Sequence, residues 1–147
     1  MAAEIVRVTN EEQLRQGFDI RKKVFVEEQK VPEEEEIDEY DVISPDVHHI
    51  LLIDDGIPVA TGRLIYYKEA TAKMQRIAVM KDYRSKGYGR VLLLALEELA
   101  RELGLQYSIL DGQCQAENFY RKLGYEVIST EPFYDAGILH VRMQKTL

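Results

Sequence analysis

The 147-residue sequence predicts an α+β fold built on one mixed, mostly antiparallel twisted sheet. Three observations predict this class: strand-like segments cluster between residues 47 and 80, one strongly amphipathic helix follows them, and short strands close the chain. We expect about six or seven strands flanked by about four helices. Because a chain of this length can bury roughly two thirds of its unfolded surface, residues 1–147 are expected to form a single domain.

The N-terminal part predicts a strand, a helix and an acidic connector. Residues 5–8 are typical of a short strand, and Thr9 with Glu12 fits a capping box that opens a helix. This helix should bend or restart near residues 21–24. Residues 32–41 carry so many carboxylates that we expect them to remain unburied, as a surface loop or a short exposed helix.

The central and C-terminal parts predict the rest of the sheet. Residues 47–53 and 58–67 predict two strands of a hairpin around the Asp-Gly turn at 54–56, and residues 72–80 predict a third strand. Apolar residues then recur at helical spacing from Leu92 to Leu103, before Gly104. A strand at 106–110, a helix at 116–123 and strands at 125–128 and 139–144 complete the fold; a loop with Pro132 and Gly137 joins the last two.

Composition excludes several classes of function. A net charge of -7 argues against nucleic-acid or anionic-membrane binding, since both need Lys and Arg to neutralise phosphates, and it favours a cationic substrate. Without an apolar run of about 20 residues or a signal-like N-terminus, we expect a cytoplasmic protein.

Cys114 is the only cysteine, which excludes an internal disulfide. Adjacent His48 and His49 point to opposite faces of a strand, so no metal is expected.

The stretch Arg84-Ser85-Lys86-Gly87-Tyr88-Gly89-Arg90 places two glycines and three cations at the start of the longest predicted helix. The first N–H groups of a helix have no partner within it and carry partial positive charge, so a start without bulky side chains favours a phosphate. Residues 81–90 have a local charge of +3 in a chain of -7. A phosphate-bearing ligand would explain why a protein of negative net charge concentrates positive charge at this turn.

The spacing excludes two common phosphate-binding motifs. In a Walker A loop the Lys and a Ser or Thr follow the second glycine, whereas Lys86 precedes both glycines. A dinucleotide-binding turn needs a third glycine where this chain has Leu92, and it opens a βαβ unit.

Two segments resemble motifs of the GNAT family of N-acetyltransferases. Residues 75–89, Gln-Arg-Ile-Ala-Val through the glycine turn, are similar to the family's pyrophosphate-binding signature of Arg or Gln, two residues, Gly, one residue, and Gly or Ala. Residues 113–125 resemble its later motif, although Gln113 stands where the family usually has Asn. Residues 21–29 and 137–140 also resemble a bacterial subgroup of small GNAT proteins, mostly of unassigned substrate.

The resemblance implies an acetyl-CoA-dependent N-acetyltransferase that moves an acetyl group to a primary amine of a small molecule or protein, by direct transfer in a ternary complex. The strand before the turn would hydrogen-bond the pantetheine arm, the turn would hold the pyrophosphate, and an N–H of that strand (Ile77 or Val79) would polarise the thioester carbonyl. The implied cofactor-binding residues are Ile77, Ala78, Val79, Arg84, Ser85, Lys86, Gly87, Tyr88, Gly89, Arg90, Gln113, Asn118 and Tyr120.

Acetyl transfer needs a neutral amine and a proton for the departing thiolate. Tyr120 falls where the family commonly has its general acid; alternatively it packs with Phe119 and only hydrogen-bonds the cofactor. The base is open among Glu27, Glu28, Asp38 and Asp41, all in the region that borders the acceptor pocket in GNAT proteins. Each could instead be a solvated surface carboxylate, or the acidic run could attract a cationic amine. Residues expected to bind the acceptor are Glu27, Glu28, Asp38 and His140.

Two other functions remain open. The first is a non-catalytic acyl-CoA-binding sensor. The second is an acyl-homoserine-lactone synthase, whose Arg-x-x-Val-Phe pattern resembles residues 21–25, although the short chain and the better match of the turn count against it. No His/Asp arrangement accompanies Cys114, so we expect a structural thiol rather than an acyl-enzyme nucleophile. Apolar residues of the last strands could serve a homodimer.

Overall fold

The computed structural model describes residues 3–147, whose strands form one eight-stranded sheet in which β7 pairs with β8 beside the path β1-β2-β3-β4-β5-β8-β6. The strands are β1 (Ala3–Arg7), β2 (Val47–Asp54), β3 (Ile57–Lys68), β4 (Thr71–Val79), β5 (Tyr107–Gln113), β6 (Glu126–Val127), β7 (Phe133–Asp135) and β8 (Ile138–Thr146). The helices are α1 (Glu11–Arg21), α2 (Glu33–Glu36), α3 (Tyr88–Glu102) and α4 (Glu117–Lys122), with a π-helical segment at Lys22–Glu28 and 3-10 turns at Lys81–Tyr83 and Cys114–Ala116.

The predicted fold class is confirmed. Every pairing is antiparallel except that of β4 with β5, which run parallel because α3 crosses between them. Asp55 and Gly56 have positive φ (52° and 81°), and so form the two-residue hairpin turn that the sequence predicts. The segment expected as a loop around Gly137 contains the additional short strand β7, because Ala136 and Gly137 form a second tight turn.

The start of α1 corrects one prediction. Asn10, not Thr9, is the N-cap: its side chain accepts a hydrogen bond from the backbone N–H of Gln13, 2.9 Å away. Gln13 in turn accepts from the backbone N–H of Thr9 at 2.7 Å, so it completes the box in place of Glu12. The helix changes geometry after Arg21, where the sequence predicts a bend, and continues as the π-helical segment.

The sheet separates two apolar cores. Alternate residues of β2 face opposite sides: Ile50 and Leu52 pack with the leucines of α3, whereas Leu51 packs with Ile20 and Val24 below α1 and the π-helical segment. Leu96 of α3 is fully buried at the centre of the larger core. No helix between residues 3 and 147 is long and apolar enough to cross a membrane.

The expectation that the acidic connector remains unburied is wrong at two positions. Glu36 and Asp41 are 4% and 9% exposed, because each carboxylate is hydrogen-bonded to a buried arginine. Arg21 comes from α1 and Arg63 from β3, and both lie under the connector. Buried charges of this kind are tolerated only when paired.

Candidate functional site

The site lies where β4 and β5 part. The two strands pair only between Thr71–Met74 and Tyr107–Leu110, so their C-terminal halves diverge and leave a cavity of about 580 Å³. A bulge in β4 lies at the divergence: the pairing with β3 jumps there, and Arg76 takes φ 54°. The expected site residues that line this cavity are Ile77, Val79, Arg84, Ser85, Gly87, Tyr88, Gly89, Gln113, Tyr120 and His140.

The glycine turn brings the start of α3 to one end of the cavity. Gly87 is the N-cap with φ 80°, a conformation that favours glycine, and no side chain of the described residues caps it. Ser85 also has positive φ (72°). Gly89 lies against Phe119, whose Cζ would be 3.4 Å from a Cβ added there. The uncapped N–H groups and the helix dipole therefore face a space that an anion can enter.

Arg84 links the glycine turn to β4 and to the π-helical segment through hydrogen bonds. Its Nε donates to the carbonyl oxygen of Val79 at 2.9 Å, and its two terminal nitrogens pair with the carboxylate of Glu28 on the π-helical segment. The hydrogen bond from Arg84 lowers the pKa of Glu28. Arg84 lines the cavity, so its ion pair with Glu28 neutralises one of the cations that the sequence offers for a phosphate.

Four expected cofactor residues do not line the cavity. The side chain of Ala78 packs in the smaller core, so only its backbone could contact a ligand. Lys86 lies over the ring of Tyr83, and its Nζ is 3.8 Å from Asp54. Arg90 and Asn118 are exposed on α3 and α4. Lys86 and Arg90 can therefore act on a bound anion through their charge rather than by lining its site.

Tyr120 is positioned by glycine in the facing strand. A Cβ added to Gly112 would lie 2.8 Å from Cε2 of the Tyr120 ring, so the ring packs directly on the backbone of β5. Phe119 and Tyr125 contact it edge-on, with centroids 5.1 and 6.2 Å away. Burial raises the pKa of Tyr120 to about 12. Its hydroxyl makes no hydrogen bond to any residue from 3 to 147 and remains protonated at neutral pH, so it is available to a ligand.

Gln113 and His140 line the cavity from neighbouring strands. Nε2 of Gln113 donates to Gln29 at 3.0 Å, and its Oε1 accepts from Gln115 at 2.7 Å. His140 is stacked on Phe133 and its Nδ1 contacts the carbonyl oxygen of Ile138 at 2.7 Å, which leaves Nε2 as its free nitrogen. Cys114 packs against the larger core and does not line the cavity.

The four candidate bases divide into two pairs. Glu27 and Glu28 are exposed and do not line the cavity, and Glu28 is paired with Arg84. Asp38 and Asp41 belong to a network that we call the connector cluster, which also contains Arg21, Glu36, Arg63 and Arg76. Asp41 accepts hydrogen bonds from Arg21, Arg63 and the N–H of Asp38. These bonds outweigh burial and lower the pKa of Asp41 to about 2, so it is a poor base.

Sequence reasoning missed several residues of the cavity wall. Arg76, Gln29 and Phe119 line it from β4, the π-helical segment and α4, and Lys73 lies beside Asp111 at 3.3 Å where the strands begin to part. Arg76 was visible as a charge inside an apolar strand. The others carry no local signal, because their proximity depends on how separate elements pack.

The fold and the cavity agree with the similarity to known proteins. The chain belongs to the GNAT acetyltransferase family: the family model "Acetyltransferase (GNAT) domain" matches residues 6–147. YjcF of Bacillus subtilis strain 168, named an uncharacterized N-acetyltransferase, is 46% identical over 136 residues, which cover 92% of this chain and 94% of that protein.

Two solved structures share the fold. An acyl-CoA N-acyltransferase from Pseudomonas aeruginosa has a TM-score of 0.87 at 25% identity, covering 98% of this chain and 99% of its own. The PaiA N-acetyltransferase of Thermoplasma acidophilum, in complex with coenzyme A, has a TM-score of 0.75 at 20% identity over the full length of both chains. Among residues 3–147 no group of three or more His, Cys, Asp or Glu side chains is arranged to hold a metal ion.

Proposed function

We propose that the protein transfers an acetyl group from acetyl-CoA to a primary amine, by direct transfer in a ternary complex. The observation that carries the proposal is the single cavity that joins the uncapped start of α3 to the free hydroxyl of Tyr120. A thioester whose diphosphate lies on the glycine turn would extend along the edge of β4 that no longer pairs with β5. The residues present fit coenzyme A, because the turn supplies N–H donors, two glycines and Arg84 at one end of the cavity.

In the proposed reaction the amine nitrogen forms a bond to the thioester carbonyl carbon, and the carbon–sulfur bond breaks. Tyr120 donates its proton to the departing thiolate and recovers one from water, and the proton lost by the amine passes to water at the acceptor end. Because the pKa of Tyr120 is about 12, the phenol is fully protonated wherever an enzyme of this kind would work. A backbone N–H of Ile77 or Val79 would polarise the carbonyl.

Cofactor binding is tested by calorimetric titration of the purified chain with coenzyme A. We expect saturable binding that weakens about tenfold in Arg84→Gln and is unchanged in Arg15→Gln, a matched control on the outer surface of α1. Absence of coenzyme A binding to the folded wild-type protein would refute the proposal.

Catalysis is tested with a panel of amines, acetyl-CoA and detection of the released thiol. Tyr120→Phe should lower turnover about a hundredfold while coenzyme A affinity stays nearly the same, because it removes the proton donor but keeps the ring packed on Gly112. A non-catalytic acyl-CoA sensor would instead bind the cofactor, release no thiol with any amine and be indifferent to this substitution.

A further inference from the structure

Arg76 is a cation of the cavity wall whose hydrogen bonds are incomplete. Its side chain is 25% exposed and lines the cavity, on the strand that carries the proposed thioester contacts. Nε and Nη2 donate to the carbonyl oxygen of Glu36 at 3.2 and 3.1 Å, and Nη2 makes a longer bond of 3.3 Å to Asp38. Its Nη1 makes no hydrogen bond to any residue in the described part of the chain.

The free nitrogen is accessible rather than buried. His48 Nε2 is the sole buried side-chain nitrogen or oxygen without a partner between residues 3 and 147. Nη1 of Arg76 is therefore not enclosed by protein, and the cavity is the space that the side chain lines. Nη1 therefore has two N–H groups free to donate beside the cavity. The hydrogen bonds of Nε and Nη2 hold the guanidinium in place.

The carboxylates of the connector cluster bind the other two arginines more closely than Arg76, whose ion pairs with Glu36 and Asp38 are 3.5 and 3.3 Å long. Glu36 receives two bonds from Arg21, and Asp41 receives bonds from both Arg21 and Arg63. Asp38 accepts from Arg63 at 2.6 and 2.8 Å, shorter than its single contact with Arg76. Three arginines are paired with three carboxylates, and Arg76 donates the fewest hydrogen bonds to these carboxylates.

The charge environment agrees with this geometry. Burial lowers the pKa of Arg76, and the charges of Arg63 and Arg21 lower it further. The guanidinium remains protonated, but a further anion beside it would be favourable.

We propose that Arg76 is the carboxylate-binding residue of the acceptor site, so that the preferred acceptor is an amine that also bears a carboxylate. This inference rests on the proposed acetyl transfer and narrows its substrate class. An acceptor carboxylate can accept a charge-assisted hydrogen bond from Nη1, the one nitrogen of Arg76 without a hydrogen bond among residues 3–147, whereas a second amine would be repelled by the guanidinium. Glu36 and Asp38 do not provide an alternative site for a cation at this wall, because both are already paired with arginines; Glu35 also lines the cavity, without an ion pair among residues 3–147.

The test compares amino acids with their carboxamides, for example glycine with glycinamide and β-alanine with β-alaninamide. A carboxamide changes the pKa of the neighbouring amine, so the quantity measured is the ratio of kcat/KM within each pair, in the wild type and in Arg76→Gln. We expect this ratio to fall at least tenfold in Arg76→Gln, to fall less in Arg76→Lys, which keeps the charge without the fork, and to be unchanged in Arg15→Gln. Urea midpoints establish that each variant is folded.

Binding gives a second, independent measurement. Calorimetry of the coenzyme A-saturated protein should detect N-acetylglycine but not N-acetylglycinamide, and Arg76→Gln should lose the difference. A ratio unchanged by Arg76→Gln, or equal binding of the two products, overturns the assignment of Arg76. So does a protein that binds neither product. In each of these cases, coenzyme A binding by the same sample shows that the cofactor site is intact and that only the assignment of Arg76 is wrong. If the wild-type protein does not bind coenzyme A, the proposed function itself is refuted.

Discussion

Asp41→Asn tests whether the buried connector cluster holds the cavity wall together. The Asp41 carboxylate accepts bonds from Arg21 at 2.5 and 3.0 Å, from Arg63 at 2.8 Å and from the N–H of Asp38 at 2.8 Å. Asparagine keeps one acceptor oxygen but replaces the other by an N–H donor and removes the charge. Two buried guanidinium groups would then share the carboxylates of Glu36 and Asp38.

The expected loss of unfolding free energy is about 3 kcal/mol, the lower end of the range for removing one partner of a buried ion pair, because one acceptor remains. Domains of this kind have total stabilities of about 5–15 kcal/mol, so the variant should still fold at 25 °C. With a urea m-value of about 2 kcal/mol/M, the midpoint should fall by roughly 1.5 M.

The pH dependence supplies an independent readout of the same carboxylate. The pKa of Asp41 is about 2 in the folded protein, against an ordinary value of 3.8. A lowered folded-state pKa stabilises the protein above pH 3.8, and this stabilisation is lost as the pH falls towards 2. At 1.36 kcal/mol per unit, the Asp41 contribution is about 2 kcal/mol, which the wild type should lose in this window and Asp41→Asn should not.

Circular dichroism during urea titration, repeated from pH 6 to pH 2, measures both effects. Asp19→Asn is the matched control, because Asp19 forms an exposed ion pair with Arg15 and should leave the urea midpoint nearly unchanged. The reasoning is refuted if Asp41→Asn behaves as this control does, or if the acid loss of stability is the same with and without the carboxylate.

Two further substitutions test the cavity. Gly112→Ala places a Cβ 2.8 Å from Cε2 of Tyr120, so it should lower the unfolding free energy by about 1–3 kcal/mol and reduce turnover; an unchanged urea midpoint would show that the ring yields freely. Glu28→Gln removes the carboxylate that pairs with Arg84, so we expect coenzyme A to bind about threefold more tightly at low salt, measured by calorimetry. Weaker binding would instead mean that Glu28 positions Arg84 for the cofactor.

Local patterns were sufficient for the fold class and for the glycine turn at the start of α3. Apolar spacing over residues 92–103, the Asp-Gly hairpin turn and the two glycines before α3 each depend on neighbours in sequence. Such features follow from backbone geometry and side-chain periodicity over a few residues, which the chain displays directly. The predicted N-cap of α1 was wrong by one residue: Thr9 and Asn10 can both cap a helix, and the folded structure uses Asn10.

The cavity wall around Arg76 was decided by tertiary structure. By itself the sequence determined that residues 32–41 are acidic, and exposure was the reasonable expectation for such a run. Only the fold brings Arg21 of α1 and Arg63 of β3 beneath them, where paired charges can be buried. Three arginines share three carboxylates that are distant from them in sequence, and the folded arrangement decides which arginine keeps a nitrogen without a hydrogen bond. The free nitrogen of Arg76 is therefore a property of the folded chain, because hydrogen-bond satisfaction is settled in three dimensions.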